Sequence, residues 1–249
     1  MKRMSFGIII VLCLICNLAA ADPLLLKDDI QNTVSYFSPE DPSINVFSYS
    51  YCFPRISENE EAAYRITAFY LDKAEMLESE IPYIAESHEF SEEPLSIHVS
   101  YTVTCNNDLY FSVVVKQETV IGNNTRTIFE GNTFSRRYPK AKNLCNMANL
   151  LGILDPEEND AKIISHQKDR IRPPIYHIIL DEVQNHPDQY SLLDDFSEQD
   201  LANYFLPEND FYLNENGDPV FYVEPGIITD ETDGYLFFTI PIEEIKDEM

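Results

Sequence analysis

The chain is poor in basic residues. Lysine and arginine together number 17 among 249 residues, against 43 aspartates and glutamates, which gives a formal net charge of −26. Nucleic acids and anionic membrane surfaces are both bound through clustered cations. The composition therefore argues against either partner. It fits simple solubility, or the steering of a cationic protein whose association slows as salt is added.

Glycine is scarce, and so are the motifs of common enzymes. Only 7 glycines are present, and no Gly-x-Ser-x-Gly elbow, His-Glu-x-x-His motif, Walker A loop or glycine-rich dinucleotide turn occurs. None of the five histidines lies at metal-ligand spacing from another. His177 and Asp181 are one helical turn apart, which favours an ordinary surface or core pair over a site. We predict no catalytic residue, metal or cofactor, with an enzyme of unrecognised site as the remaining alternative.

Cysteine is also infrequent. Cys13 and Cys16 lie in the N-terminal apolar stretch, which leaves Cys52, Cys105 and Cys145, an odd number. Cys52 and Cys105 both lie in apolar, strand-like runs, so the sequence permits either a disulfide between them or buried free thiols. No Cys-x-x-Cys pair indicates structural zinc.

The N-terminus has the order of a secretory signal. Lys2 and Arg3 precede an apolar run from Phe6, which ends at the small residues Ala19-Ala20-Ala21. The run is shorter than the roughly 20 residues that span a bilayer comfortably. We predict cleavage after Ala21 and export, with no stable membrane insertion afterwards; a retained N-terminal anchor is the alternative.

The first half of the remaining chain predicts a helix and several strands. Residues 22–43 contain three prolines and no sustained periodicity, which indicates a polar leader. A strand is predicted from Ile44 to Pro54. Ser57 and Glu60 have capping-box spacing and open a helix to about Glu80. Long strands follow at 95–105, 109–121 and 125–136, joined by turn sequences. We predict an antiparallel α+β module over 44–155.

The second half predicts another α+β module, over 156–249. A helix begins near Asn159, and Pro173-Pro174 must break or kink it. A short helix near Glu198–Phe205 precedes a hairpin at 210–225, whose turn contains Asn216-Gly217, and a strand at 235–241. The predicted fold class is α+β, with two small modules that each pack an antiparallel sheet against one or two helices.

These patterns resemble the extracellular region of RsiV-type anti-sigma factors and of relatives of PdaC-type polysaccharide deacetylases. The matching C-terminal positions are Phe211-Tyr212, Gly217, Val220-Phe221-Tyr222, Pro225, Gly234 and Ile240-Pro241. The matching N-terminal positions are Tyr51–Arg55, Val99–Thr104, Tyr110–Val113 and Asn132–Phe134. One departure is the turn at 122–126, which lacks the paired glycines and the histidine that such proteins often carry.

The resemblance implies an exported sensor that recognises a cationic wall hydrolase such as lysozyme. No sigma-binding segment is expected, since only five residues precede the apolar run, and no deacetylase motif is present. The predicted partner-binding residues are Glu224, Asp230, Glu231, Asp233, Tyr212 and Tyr222. The acidic stretches at 214–218 and 230–233 lack EF-hand order, so turn chemistry is favoured over calcium binding. The alternative function is an envelope accessory domain that binds peptidoglycan or another wall polymer.

Overall fold

The computed structural model describes residues 22–57, 60–88, 93–138, 144–193 and 196–249. These residues form two β-sheets with helices packed against them, which confirms the predicted α+β class. The expected signal peptide, residues 1–21, lies outside the described residues. None of the described helices is both long enough and apolar enough to cross a membrane.

The first sheet has five strands in the order β1-β2-β3-β4-β5. The strands are β1 (Ile30–Phe37), β2 (Asn45–Phe53), β3 (Leu95–Asn106), β4 (Tyr110–Ile121) and β5 (Asn124–Ser135). Helix α1 (Glu61–His88) carries the chain from β2 to β3, so these two strands run parallel, whereas every other neighbouring pair is antiparallel. The parallel pair corrects the expectation of a wholly antiparallel first sheet.

The first core lies between this sheet and α1. Alternate residues of β2 are buried, and α1 contributes residues at helical spacing, so that the rings of Phe53 and Tyr70 stack 5.5 Å apart. The helix continues beyond the predicted end at Glu80 and through Pro82. It does so because Ile81 and the partly buried Ile84 and Ala85 pack on the same core.

Residues 22–43 were predicted to be a polar leader, but Ile30–Phe37 within them form strand β1 of the first sheet. Leu24 is buried, and the Asn106 side chain bonds both its N–H, at 2.8 Å, and its carbonyl, at 2.9 Å. Strand β1 then pairs with β2 along its whole length. This strand has little periodicity of its own, because an edge strand buries few side chains, here Ile30 and in part Val34.

The described residues from 144 to 249 form four helices and a three-stranded antiparallel sheet. The helices are α2 (Met147–Leu150), α3 (Ala161–Asn185), α4 (Glu198–Tyr204) and α5 (Ile242–Glu248), with a 3₁₀ turn at Pro187–Gln189. The strands are β6 (Phe211–Leu213), β7 (Pro219–Val223) and β8 (Leu236–Thr239), in sequence order. The predicted hairpin and third strand are thus confirmed.

Helix α3 runs unbroken across Pro173-Pro174. The predicted break is wrong because Ile171, Ile175 and Ile179 are fully buried on one face of the helix. Burial of each such side chain contributes about 2 kcal/mol, which offsets the backbone hydrogen bonds that the two prolines cannot donate.

The second core draws on residues from both predicted modules. Cys105 at the end of β3, Cys145 and the α2 region up to Leu154 pack with α3 and the three-stranded sheet. Residues 145–154, which we assigned to the first module, therefore bury their apolar side chains in the second core.

The three described cysteines are free thiols. Tyr51 of β2 lies opposite Val99 of β3, so Cys52 and Cys105 are offset by five residues along the parallel pair. At about 3.3 Å per residue this offset is roughly 16 Å, whereas a disulfide needs Cα atoms within about 7 Å. The suggested Cys52–Cys105 bridge is therefore wrong, and the alternative of free thiols describes the protein.

Candidate functional site

The two sheets meet along β5 and over the neighbouring strand β4, where the Leu213 N–H of β6 donates to the Ser112 hydroxyl at 3.0 Å. The Gly131 N–H donates to the Tyr222 hydroxyl at 2.9 Å. Further along, the Cys145 N–H donates to the Thr133 carbonyl at 2.8 Å. The second half of the chain therefore satisfies backbone groups that an edge strand would otherwise present to solvent.

An aromatic patch surrounds this junction and consists of Phe129, Tyr212, Tyr222, Tyr235 and Phe237. The Phe129 ring meets the Tyr235 ring edge-on at 4.9 Å and the Phe237 ring at 5.5 Å, and Tyr212 stacks on Tyr222 at 6.5 Å. Side chains alternate between the two faces of a strand. Phe211, Phe221 and Phe238 therefore face the second core, whereas Tyr212, Tyr222 and Phe237 lie on the opposite face of the three-stranded sheet.

The members of the patch differ in exposure. Phe237 is 46% exposed, and Phe129, Tyr212 and Tyr235 are half-buried. Tyr222 is buried, and its burial raises the pKa of its phenol well above the usual range. Tyr222 was predicted to contact a partner, and the structure corrects this. Its side chain is only 6% exposed, because it packs between the sheets and its hydroxyl bonds Gly131.

The four predicted acidic residues are all exposed and lie between β7 and β8. This acidic loop, Glu224 to Asp233, joins two strands of the aromatic patch and so begins and ends beside it. Burial, followed by the charge of Glu224, raises the pKa of Tyr235 to about 12.

Local hydrogen bonds shape the acidic loop. Asp230 Oδ1 accepts from the Thr232 N–H and from the Thr232 hydroxyl, both at 3.0 Å, and these bonds lower the pKa of the Asp230 carboxyl. The Asp233 N–H donates to the Asp230 carbonyl at 3.0 Å. Asn214 has a similar turn role, since its side-chain oxygen accepts from the Asn216 and Asp218 N–H groups at 2.9 Å. Both stretches show the predicted turn chemistry.

A cleft of about 670 Å³ opens beside the patch and shares Phe129 and Tyr222 with it. Its polar lining includes Asn132, Lys168 and Asp210, and its volume is in the range of small-molecule sites. Burial raises the pKa of Asp210 to about 6, although its Oδ2 accepts a hydrogen bond from the Leu206 N–H at 2.7 Å.

Two further groups of charged side chains form ordinary ion pairs. His177 is exposed and lies 3.7 Å from the Asp181 carboxylate and 3.2 Å from that of Glu248. Arg136 is buried and pairs with Glu60 at 2.7 Å. Across the part of the chain that is described, no three His, Cys, Asp or Glu side chains are grouped to hold a metal ion.

Sequence reasoning found Tyr212 and the acidic loop but missed Phe129, Tyr235 and Phe237 as members of one surface. The signal for Phe237 was present, because Leu236, Phe237 and Phe238 are three successive apolar residues in a strand, so one of them must face away from the core. Phe129 could not be found this way, since it comes from the other sheet.

The architecture defines an α+β protein in which a five-stranded sheet and a three-stranded sheet meet along β5 and β4, with the Tyr222 hydroxyl bonded to the β5 backbone. Two solved structures resemble it. One is a DUF3298 family member from Bacteroides fragilis NCTC 9343, with a TM-score of 0.55 and 10% identity over 91% of this chain and 94% of that chain. The other is a DUF3298 family protein from Pseudomonas aeruginosa PAO1, with a TM-score of 0.50 and 10% identity over 90% and 94% of the two chains.

The likeness concerns the fold alone, because the identity is low. DUF3298 is a domain family related to RsiV- and PdaC-type modules, so the coarse form of the resemblance drawn from the sequence is supported. No family model and no curated protein sequence matches the chain.

Proposed function

We propose that this protein is an exported, non-catalytic binding module that recognises a cationic protein, such as lysozyme or a similar basic cell-wall hydrolase. The observation that carries the proposal is the aromatic patch with the acidic loop beside it. The proposal includes no sigma-binding activity.

Energetics support an aromatic contact surface. Interface hot spots are enriched in large rings at the centre, with polar groups around them that exclude water. Phe237 projects from the patch with nearly half of its surface exposed, and the rings of Phe129 and Tyr235 lie against it. Lysine and arginine side chains suit such a surface, because their apolar stems cover rings and their charged heads interact with the ring faces.

Charge supports a cationic partner. The net charge of −26 steers a basic protein towards the molecule, and the acidic loop supplies exposed carboxylates within reach of a protein bound at the patch. These carboxylates are exposed, and Asp230 is held in a turn, so they suit ion pairing better than proton transfer.

The test is a calorimetric titration of residues 22–249 with hen egg-white lysozyme, at low salt and at about 150 mM salt. Cytochrome c, another small basic protein, serves as the control. We expect saturable lysozyme binding that persists at the higher salt and exceeds that of the control. Equal binding of the two basic proteins, lost at the higher salt, would reduce the interaction to nonspecific charge attraction.

The cleft favours a second candidate function, the binding of a wall polymer. Its side-chain amides and carboxylates can bond sugar hydroxyls, and Phe69 and Phe129 offer apolar surface to a sugar ring. Amide NMR shifts around Asn209 on addition of a soluble peptidoglycan fragment, unaffected by salt, would support this function. Shifts confined to the aromatic patch, or none, would remove it.

A further inference from the structure

Only one of the two outer edges of the five-stranded sheet is hydrogen-bonded to other described parts of the chain. The edge of β5 is capped by the hydroxyl group of Tyr222 and by the backbone of Cys145. Strand β1 lies at the opposite end of the sheet, and within the described ranges no strand pairs with its far side.

Strand β1 lacks most of the features that protect a strand edge. Its sequence, IQNTVSYF, contains no charged residue and no proline, although the chain as a whole carries 60 charged side chains, 17 basic and 43 acidic. It is eight residues long, and its single irregularity lies at the end, between Tyr36 and Phe37. Natural edge strands are usually short, charged, bulged or covered, because a bare edge recruits further strands.

The backbone groups that face outward can be assigned. The Thr33 N–H bonds its neighbour's side chain, Asn32 Oδ1, at 2.8 Å, and so points away from β2. Backbone groups in an antiparallel strand alternate in direction, which puts those of Gln31, Thr33 and Ser35 on the open edge. All three residues are exposed.

The surroundings indicate what this edge would bind. Lys27, Asp28 and Asp29 precede β1, Glu40 and Asp41 follow it, and all five are exposed, so that each end carries a net negative charge. Large apolar side chains also lie exposed at both ends, namely Leu25, Leu26, Tyr36, Phe37 and Ile44. A segment with basic residues at its ends and neutral or apolar residues between them would match this pattern. A second copy of the chain would instead bring acidic ends together.

We infer that β1 accepts an extended cationic peptide segment of a partner protein as a sixth strand of the first sheet. Main-chain hydrogen bonds to Gln31, Thr33 and Ser35 supply the pairing, with a peptide carbonyl replacing Asn32 Oδ1 at the Thr33 N–H. The acidic ends select basic flanks. This surface is separate from the aromatic patch, and the inference does not depend on lysozyme recognition.

The test uses a synthetic ten-residue peptide in which three Thr-Val repeats lie between pairs of lysines. Binding is followed by fluorescence anisotropy, and the site by amide hydrogen exchange of residues 22–249. We expect saturable binding that increases the protection of the Gln31, Thr33 and Ser35 amides. A peptide with glutamates in place of the lysines should bind at least tenfold more weakly.

Two variants at one position separate main-chain pairing from other contacts. Ser35→Pro removes an outward N–H, which an edge strand tolerates, and should weaken peptide binding at least tenfold with little change in melting temperature. Ser35→Ala keeps the N–H and should bind like the wild type. Phe237→Ala should also bind the peptide normally, whatever it does to lysozyme binding.

Three results would overturn the inference. The first is equal binding by Ser35→Pro and Ser35→Ala. The second is peptide-induced protection outside β1. The third is protection of β1 that depends on protein concentration without peptide, because a second copy of the chain would then occupy the edge. Hydrogen exchange of the wild type with and without peptide shows whether the peptide binds at β1, even if Ser35→Pro fails to fold.

Discussion

Gly131 of β5 lies directly against the backbone of Phe211 of β6. A Cβ atom on Gly131 would come within 1.7 Å of the Phe211 carbonyl oxygen and 2.6 Å of its carbon. Backbone meets backbone here, and no flexible side chain can move aside. The junction between the sheets therefore requires glycine at this position.

Gly131→Ala should destabilise the fold by about 3 kcal/mol or more, because overpacking against a backbone forces both strands apart. Gly234→Ala is the control. Gly234 has open space around it and only a positive φ of 82°, so its replacement should cost about 1 kcal/mol. Urea unfolding of both variants measures the difference, and equal losses would show that the contact is not tight.

Tyr222→Phe should cost about 1 to 2 kcal/mol, because the buried Gly131 N–H loses its acceptor. Tyr212→Phe, on the half-buried ring that stacks on Tyr222, should change stability by less than about 0.5 kcal/mol. Chemical denaturation is again the measurement. If removal of either hydroxyl had the same small effect, the proposed capping of β5 would be energetically unimportant.

Asp210 should make stability depend on pH. Its folded pKa is about 6, above the usual value near 3.9, so between these values the folded protein holds a proton that the unfolded chain has released. This contribution to stability is full below about pH 4 and is lost as the pH rises to about 6.

Asp210→Asn should remove that dependence while its side-chain oxygen still accepts from Leu206. Relative to the wild type, the variant should gain about 2 kcal/mol of unfolding free energy between pH 4 and pH 7. Urea unfolding at several pH values tests this. A difference between the two proteins that stays constant with pH would contradict the raised pKa.

The acidic loop should control how fast a basic partner associates. Replacing Glu224, Asp230 and Asp233 by their amides should reduce the association rate of lysozyme several-fold at low salt. Asparagine at 230 retains the acceptor for the Thr232 turn. The control replaces Asp72, Glu75 and Glu86 of α1 by their amides. These residues are also exposed, and their replacement removes the same amount of charge. Stopped-flow rates that fall equally in both triple variants would assign the effect to net charge alone.

Much of the fold follows from local sequence patterns. The alternating β3, β4 and β5 and the terminal hairpin agree with prediction to within one or two residues, because each strand has its own turn signals. Strand β1 escaped prediction because its pairing depends on β2, not on its own periodicity. The break predicted at the two prolines of α3 is wrong, because burial of the isoleucines beside them outweighs the low helix propensity of proline.

The candidate site was only partly predictable for the same reason. The acidic loop can be identified from its composition, whereas the aromatic patch joins residues about a hundred positions apart. From the sequence alone, Tyr222 cannot be distinguished from an exposed tyrosine that binds a partner. The hydrogen bond from the Gly131 N–H shows that its hydroxyl stabilises the fold.

The most direct test of the account measures lysozyme binding by Phe237→Ala and by Tyr204→Ala at about 150 mM salt. Tyr204 is an exposed ring on α4, outside the aromatic patch. Recognition through the patch predicts at least tenfold weaker binding for Phe237→Ala and wild-type affinity for Tyr204→Ala. Equal affinities for both variants and the wild type would contradict it.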